Sequence, residues 1–223
     1  MSELVVPQSN SQQKRGILYT VAFVVALMAL FLGLFLHKML SPRILSDQEL
    51  AANGAVAFAK PRVIQPFHLL DETGKPFTVE HLKGHWTLMF FGFASCPDIC
   101  PTTLATLSRL TKTLEPDILA NTQVVMVTVD PARDTPEVLE PYIHFFNEDF
   151  NALTGEFLEI KRLADNLNVA FNKVVQGDSY SVDHSANIVL INPYGHYAGF
   201  LRPPFELARL KLTYQSIVSR FPD

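Results

Sequence analysis

The run Trp86-Thr87-Leu88-Met89-Phe90-Phe91-Gly92-Phe93 carries no charge, is too short for a globular helix, and suits a strand buried on both faces. Cys96 follows three residues later, and Cys100 completes Ser95-Cys96-Pro97-Asp98-Ile99-Cys100-Pro101. These are the only two cysteines among 223 residues. No further thiol exists for a cluster, a zinc knuckle or a long-range disulfide. A central strand therefore delivers the whole sulfur chemistry of the chain into one C-x-x-x-C loop. Such a pair can close into a disulfide or grip a soft metal through two thiolates.

Pro97 and Pro101 bias Cys96 and Cys100 away from helical dihedrals, and proline is favoured at the first position of a helix. The sequence thus predicts a helix opening at Pro101, with Cys100 as its cap and Cys96 in the loop before it. Leu104, Leu107, Leu110 and Leu114 continue an apolar stripe at helical spacing. Both sulfurs would then lie near a helix N-terminus, whose partial positive charge favours thiolate over thiol. A purely structural disulfide is the plain alternative, but closing so short a loop restrains the unfolded chain little.

Further elements follow from period and punctuation. Val63–Leu70 reads as a strand, closed by the turn Asp71-Glu72-Thr73-Gly74 and answered by Phe77-Thr78-Val79. Gln123–Val129 is a second buried strand. Thr135-Pro136-Glu137 opens a helix to about Phe146, and 155–167 reads as another. Asn187–Ile191 is a third apolar strand, turned by Asn192-Pro193-Tyr194-Gly195 into Tyr197–Leu201. A last helix carries Leu207, Leu210, Tyr214, Ile217, Val218 and Phe221 on one face. This order describes a three-layer α/β domain with a central mixed sheet. A cysteine pair at a strand–helix junction within it is the thioredoxin-like plan. One extra residue between the cysteines relaxes the disulfide geometry and leaves room for an ion.

Ile17–Leu36 is a charge-free apolar segment of the length that spans a bilayer as a helix. No small-x-small cleavage pattern directly follows it. The expected organisation is a short tail at 1–16, a transmembrane signal anchor at 17–36, a polar linker at 37–60 and one folded domain at 61–223. Lys14 and Arg15 before the span balance Lys38 and Arg43 after it, so charge alone leaves the orientation open. From Ser46 onward, 14 Lys and Arg face 21 Asp and Glu. An acidic domain without a basic stripe argues against nucleic-acid binding and against docking on anionic lipid heads.

Of seven histidines, His37 borders the apolar span, and His81, His85, His144 and His196 fall in turn or helix-surface contexts. His68 alternates within a strand. His184, in Ser181-Val182-Asp183-His184-Ser185, immediately precedes the strand Asn187–Ile191. In a thioredoxin-like sheet the loop entering that strand lies beside the cysteine loop, so His184 is either a third ligand or an ordinary loop residue. Two thiolates and an imidazole suit Cu(I) and also accept Cu(II). Asp98 reads as an outer-shell acceptor or a solvated loop acid. Arg133 and Asp134 read as residues that fix a turn by hydrogen bonding and charge pairing, or as part of a docking loop.

The motifs FFGFASCPDICPTTL (Phe90–Leu104), VTVDPARDTPEVL (Val127–Leu139) and VDHSANIVLINPYG (Val182–Gly195) resemble the SCO/SenC family of membrane-tethered copper proteins across nearly the whole domain. The resemblance implies a thioredoxin-like fold behind a single membrane anchor. By motif, it implies copper, as Cu(I) or Cu(II), held by Cys96, Cys100 and His184. It further implies assistance in assembling the CuA centre of cytochrome c oxidase subunit II, with other periplasmic copper carriers as further partners. Without a long presequence, it fits a bacterial inner-membrane protein with its C-terminal domain in the periplasm. Two rivals share the same thiols. A thiol-disulfide reductase of the oxidase subunit cysteines would use Cys96 and Cys100 and need no histidine; a peroxidase would need a resolving thiol and a peroxide pocket. Metal ligation by thiolates and neutral imidazole predicts copper affinity that falls on acidification.

Overall fold

The computed structural model describes residues 11–40, 43–177 and 179–221. The chain divides into one unit ending at Arg43 and another beginning at Ile44. Among its described residues the first holds one helix, α1 (Ser11–Leu40). Its stretch Lys14–Leu36, 23 residues of mean hydropathy 2.6, is long and apolar enough to cross a membrane by length and composition. From Ile17 to Leu36 it carries no charge on any face, as a membrane-spanning helix requires. Residues 1–10 of the expected tail lie outside the described residues. From Ser11 that tail is already helical, since Gln12, Gln13, Lys14 and Arg15 are good helix formers.

In the second unit the elements run α2 (Asp47–Ala52), β1 (Ala55–Val63), β2 (His68–Leu70), β3 (Pro76–Thr78), β4 (Trp86–Gly92), α3 (Ile99–Thr111), α4 (Pro116–Ala120) and β5 (Thr122–Thr128). After these come α5 (Pro136–His144), β6 (Asn151–Leu153), α6 (Phe157–Asn166), β7 (Phe171–Gln176), β8 (Ser179–His184), β9 (Ile188–Ile191), β10 (His196–Leu201) and α7 (Leu207–Val218). Six strands form one sheet in the order β1-β10-β9-β4-β5-β6. The β4–β5–β6 half is parallel, and β9, β10 and β1 continue it antiparallel. Every residue of β4 and β9 is buried, so both faces of the sheet centre are covered. Right-handed crossovers put α3 and α5 on one face, where α7 packs against α3. This is the expected thioredoxin-like α/β fold with a mixed central sheet.

The polar linker expected at 37–60 is corrected by the structure from its middle onward. Leu45, Leu50 and Ala55 are core residues. Ser46 and Glu49 form a capping box that starts α2, and the Leu45 N–H donates to Ser216 Oγ on α7 at 3.0 Å. β1 is an edge strand with mostly exposed side chains, so it shows no strong hydrophobic period. Its Pro61 falls in the irregular stretch between Ala57 and Arg62, where a missing N–H is tolerated. The folded domain thus begins near Leu45, ahead of the expected 61.

The single strand expected over Val63–Leu70 splits: Val63 closes β1, and His68–Leu70 pairs with β3. The turn between them is as read. Asp71 Oδ1 accepts from the backbone of Thr73 and Lys75, and Gly74 adopts φ +80°. A larger departure is the hairpin β7–β8, which stands outside the main sheet and pairs Phe171 with His184 at its open end. His184 is therefore the last residue of a strand, not part of a loop entering β9.

Candidate metal centre

Burial is what positions the first thiol. Cys100 is fully buried against β4. A Cβ on Gly92 would lie 2.9 Å from Cys100 Sγ and 2.7 Å from Phe90 Cε1, so only glycine leaves the sulfur its seat. The helix begins two residues earlier than proline statistics predict: Ile99 is its first residue, Asp98 its cap, and Cys100 lies within the first turn. The first intrahelical bond, Thr102 N–H to Asp98 carbonyl at 3.2 Å, explains why. Pro101 falls among the first residues, whose N–H groups have no intrahelical partner, so its missing donor costs nothing there. Cys96 stays in the loop, half-buried, its N–H donating to the Phe93 carbonyl at 3.1 Å. Both cysteines are free thiols.

The β7–β8 hairpin brings in the imidazole. Cys100 Sγ lies 3.4 Å from His184 Nε2. The donor atoms of Cys96, Cys100 and His184 all fall within 4.8 Å of one another, the one such convergence among the described residues. His184 Nδ1 lies 3.1 Å from the Ser185 carbonyl. A carbonyl only accepts, so Nδ1 carries the proton and Nε2 turns its lone pair to the sulfurs. Phe90 and Phe93 meet the ring edge to face at 5.8 and 5.9 Å. With metal–sulfur and metal–nitrogen bonds of about 2.3 and 2.0 Å, the 3.4 Å separation corresponds to a sulfur–metal–nitrogen angle of roughly 105°. The donors therefore fit one ion with little rearrangement. Cys96 and His184 line a cleft of about 280 Å³ between residues 96–99 and 181–184, while Cys100 stays buried.

The electrostatics depart from the sequence expectation at one sulfur. Burial pushes the Cys100 thiol well above its ordinary range, and the neighbouring Cys96 adds to the rise. Desolvation outweighs the helix N-terminus here, because the sulfur faces the core instead of water. Burial likewise lowers His184 below its ordinary 6.5, against a smaller opposing pull from the Ser185 carbonyl and Asp183. The resting site is thus a protonated buried thiol beside a neutral imidazole.

The remaining candidates sort themselves by place. Asp98 is exposed at the rim of the cleft, outside the donor cluster, and its side chain does not cap α3. His81 stacks on Phe77 at 4.9 Å, and His144 faces Glu72 at 3.9 Å. His68 and His85 are exposed, and His196 packs near Tyr194. Arg133 and Asp134 do fix the turn after β5. Arg133 Nε is tightly paired with Asp130, and Asp134 Oδ2 accepts from Thr128 Oγ1 at 2.6 Å and from the Ala94 N–H at 3.0 Å. Sequence reasoning missed Tyr180, whose Oη donates to Asp130 Oδ1 at 2.9 Å. The whole hairpin had been passed over, although Gly177-Asp178 separates two runs of strand-forming residues by two positions, a standard hairpin signal.

A thioredoxin-like domain that presents two thiols and an imidazole to one point defines a class of soft-metal-binding proteins. Comparison with known proteins makes that class specific. The sequence profile of the SCO1/SenC family matches residues 56–217. A Stutzerimonas stutzeri protein named for copper binding is 39% identical over 160 residues, covering 71% of this chain and 78% of its own. Arabidopsis thaliana ScoI, solved with copper bound, superposes with a TM-score of 0.67 at 31% identity over 71% of this chain and 99% of that one. Yeast Sco1 with copper bound gives 0.66 at 34% identity, over 73% and 91%. The chain belongs to the SCO1/SenC family.

Proposed function

We propose that this chain is a membrane-anchored copper carrier. It binds Cu(I) or Cu(II) as cargo through Cys96, Cys100 and His184 and delivers it to the CuA centre of cytochrome c oxidase subunit II. The observation that carries this reading is the convergence of the three donor atoms within 4.8 Å, beside an open cleft that Cys96 and His184 line. A soft pair of thiolates with one imidazole suits both oxidation states of copper. Structural zinc sites, in contrast, usually draw four protein ligands. Loading requires Cys100 to lose its proton, while His184 already offers a free Nε2. Release proceeds by ligand exchange: an acceptor thiolate enters the open cleft and replaces the donors one at a time. The α1 span would hold the domain at the bacterial inner membrane, on its periplasmic side.

The test is titration of the full chain in detergent with each oxidation state, followed by transfer to an apo fragment of subunit II. Wild type is expected to bind one equivalent and to pass it on. Cys96→Ser and Cys100→Ser each cost more than the ~10–100-fold typical of losing an outer-shell partner. His184→Ala is expected to weaken Cu(II) far more than Cu(I). Unchanged binding in all three variants overturns the reading.

The asymmetry of the pair favours a second activity, reduction of the acceptor's own disulfide. Cys96 is accessible to attack a disulfide in the cleft, and Cys100 lies buried behind it. Attack forms a mixed disulfide; Cys100 then displaces the acceptor sulfur. The acceptor leaves as a dithiol and the Cys96–Cys100 pair takes over the disulfide. His184→Ala separates the two readings, since reduction is expected to survive it and Cu(II) carriage is not.

A further inference from the structure

The two ligand-bearing segments meet around the His184 ring, at Cys100, Phe90 and Phe93, and a third segment ties to both. Asp134 Oδ2 accepts from the N–H of Ala94, two residues before Cys96. Four residues earlier, Asp130 Oδ1 accepts from Tyr180 Oη on β8, four residues before His184. Arg133, paired with Asp130, lays its guanidinium 4.0 Å over the Tyr180 ring and 5.8 Å from that of Phe93. Its Nη1 also reaches the Tyr180 carbonyl at 3.4 Å. The turn is rigid in itself. The Arg133 and Asp134 N–H groups both donate to the Asp130 carbonyl, at 3.1 and 3.0 Å, and Thr154 Oγ1 donates to the Asp134 carbonyl at 2.8 Å.

We propose that the Asp130–Asp134 turn is the bracket that sets the separation between the thiols and the imidazole, with Arg133 and Tyr180 as positioning residues for His184. The hairpin is a two-stranded ribbon outside the main sheet, and such a ribbon is marginal on its own. Phe171 and Val182 root it in the core, and Phe157 of α6 meets Phe171 edge to face at 6.0 Å. Beside these contacts a largely apolar cleft of about 580 Å³ runs between hairpin and α6, so packing fixes the ribbon only in part. Polar contacts to the turn supply what packing does not. Releasing them lets the imidazole leave while Cys100 stays seated, which makes the bracket a control on how readily the third donor departs. This inference rests on the copper-carrier reading above for its consequence and on the metal-free geometry for its existence.

The experiment uses Tyr180→Phe, which keeps the ring and removes only the Oη donor, alongside Arg133→Ala and the hairpin control Val175→Ser. Metal-free protein is followed by hydrogen exchange of the β7–β8 amides and by the His184 ring signals. Copper-loaded protein is followed by Cu(II) dissociation and the Cu(II) spectrum. Tyr180→Phe is expected to raise hairpin exchange and Cu(II) dissociation about tenfold, as loss of one hydrogen bond to a charged group implies. Cu(I) affinity should move less than about twofold, since the thiolates are untouched. Arg133→Ala is expected to exceed Tyr180→Phe, and Val175→Ser to match wild type. Wild-type exchange and dissociation in Tyr180→Phe overturn the proposal, even if Arg133→Ala fails to fold. Should wild type bind no copper, the carrier reading falls, and the exchange and ring signals of the metal-free protein still decide the bracket.

Discussion

The site is built from two unlike regions. On one side stands β4 with α3, where every strand residue is buried and Cys100 is sealed against glycine and phenylalanine. On the other stands the β7–β8 hairpin, outside the main sheet, with exposed Val175 near its turn and His184 at its open end. The first region has one way to pack, because close-packed interiors resist displacement. The second is rooted in the core by Phe171 and Val182 and is otherwise held by replaceable polar contacts, whose net worth is modest. A carrier needs both properties: a grip fixed enough to find the ion, and a ligand loose enough to surrender it.

The sharpest way to break this contrast is to damage the fixed side. Gly92→Ala places a methyl 2.9 Å from Cys100 Sγ and 2.7 Å from Phe90 Cε1, both of them fully buried. Overpacking of this kind is expected to cost about 1–3 kcal/mol of stability. Thermal unfolding checks that cost, and copper titration is expected to lose affinity in both oxidation states together. A change of similar size on the hairpin should leave stability within ~0.5 kcal/mol, as surface substitutions usually do. Equal stability losses from both would mean that the two regions do not differ in rigidity.

The same division explains what the sequence made legible. β4, its cysteine loop and the stripe of α3 were readable because buried elements must be apolar at every turn or every residue. The two thiols, His184 and their meeting were legible from the thioredoxin-like plan and the family motifs. The hairpin that delivers the imidazole was not, because its exposed residues, such as Asn172, Lys173 and Asp183, dilute any alternation. β1 escaped for the same reason, as an edge strand with a proline and a solvent-facing majority. The capping box at Ser46 and Glu49 was a readable signal for α2, hidden only by the expectation of a tether. Whether a helix terminus or burial governs a thiol cannot be read from spacing, because the sign depends on which way the sulfur faces.

Acidity separates the two regions next. Raised by burial, the Cys100 thiol is protonated at neutral pH and must give up its proton on loading. Affinity for copper is therefore expected to rise about tenfold per pH unit for that one proton through the neutral range. Above 6.5 His184 adds little to the slope, since burial lowers its pKa below that ordinary value. The sign for stability follows from the same shift. Above 6.5 folded and unfolded states both hold neutral imidazole; as pH falls through 6.5 the unfolded chain binds a proton first, and folding loses stability until the folded ring titrates too. Isothermal titration between about pH 7 and 8, in wild type and His184→Ala, checks the point. Equal slopes are expected, and a slope that flattens in His184→Ala would transfer the proton to the imidazole.

The smallest effect tests how complete the fixed side is. Tyr142 on α5 has its Oη buried with no hydrogen-bond partner among the described residues, and burial together with the nearby Cys100 and Cys96 pushes its ionisation up. An unsatisfied buried hydroxyl costs about 1–3 kcal/mol, whereas a phenyl ring of the same shape leaves nothing unpaired. Tyr142→Phe is therefore expected to leave stability unchanged or raise it by up to ~1 kcal/mol, read as a small upward shift in Tm. Copper dissociation rates carry the second half of the argument. If the grip on the thiols is set by packing alone, they should match wild type in both oxidation states. Faster release from Tyr142→Phe would mean that the phenol donates to a thiolate once the proton is gone, and that the fixed side, like the hairpin, depends on a polar contact.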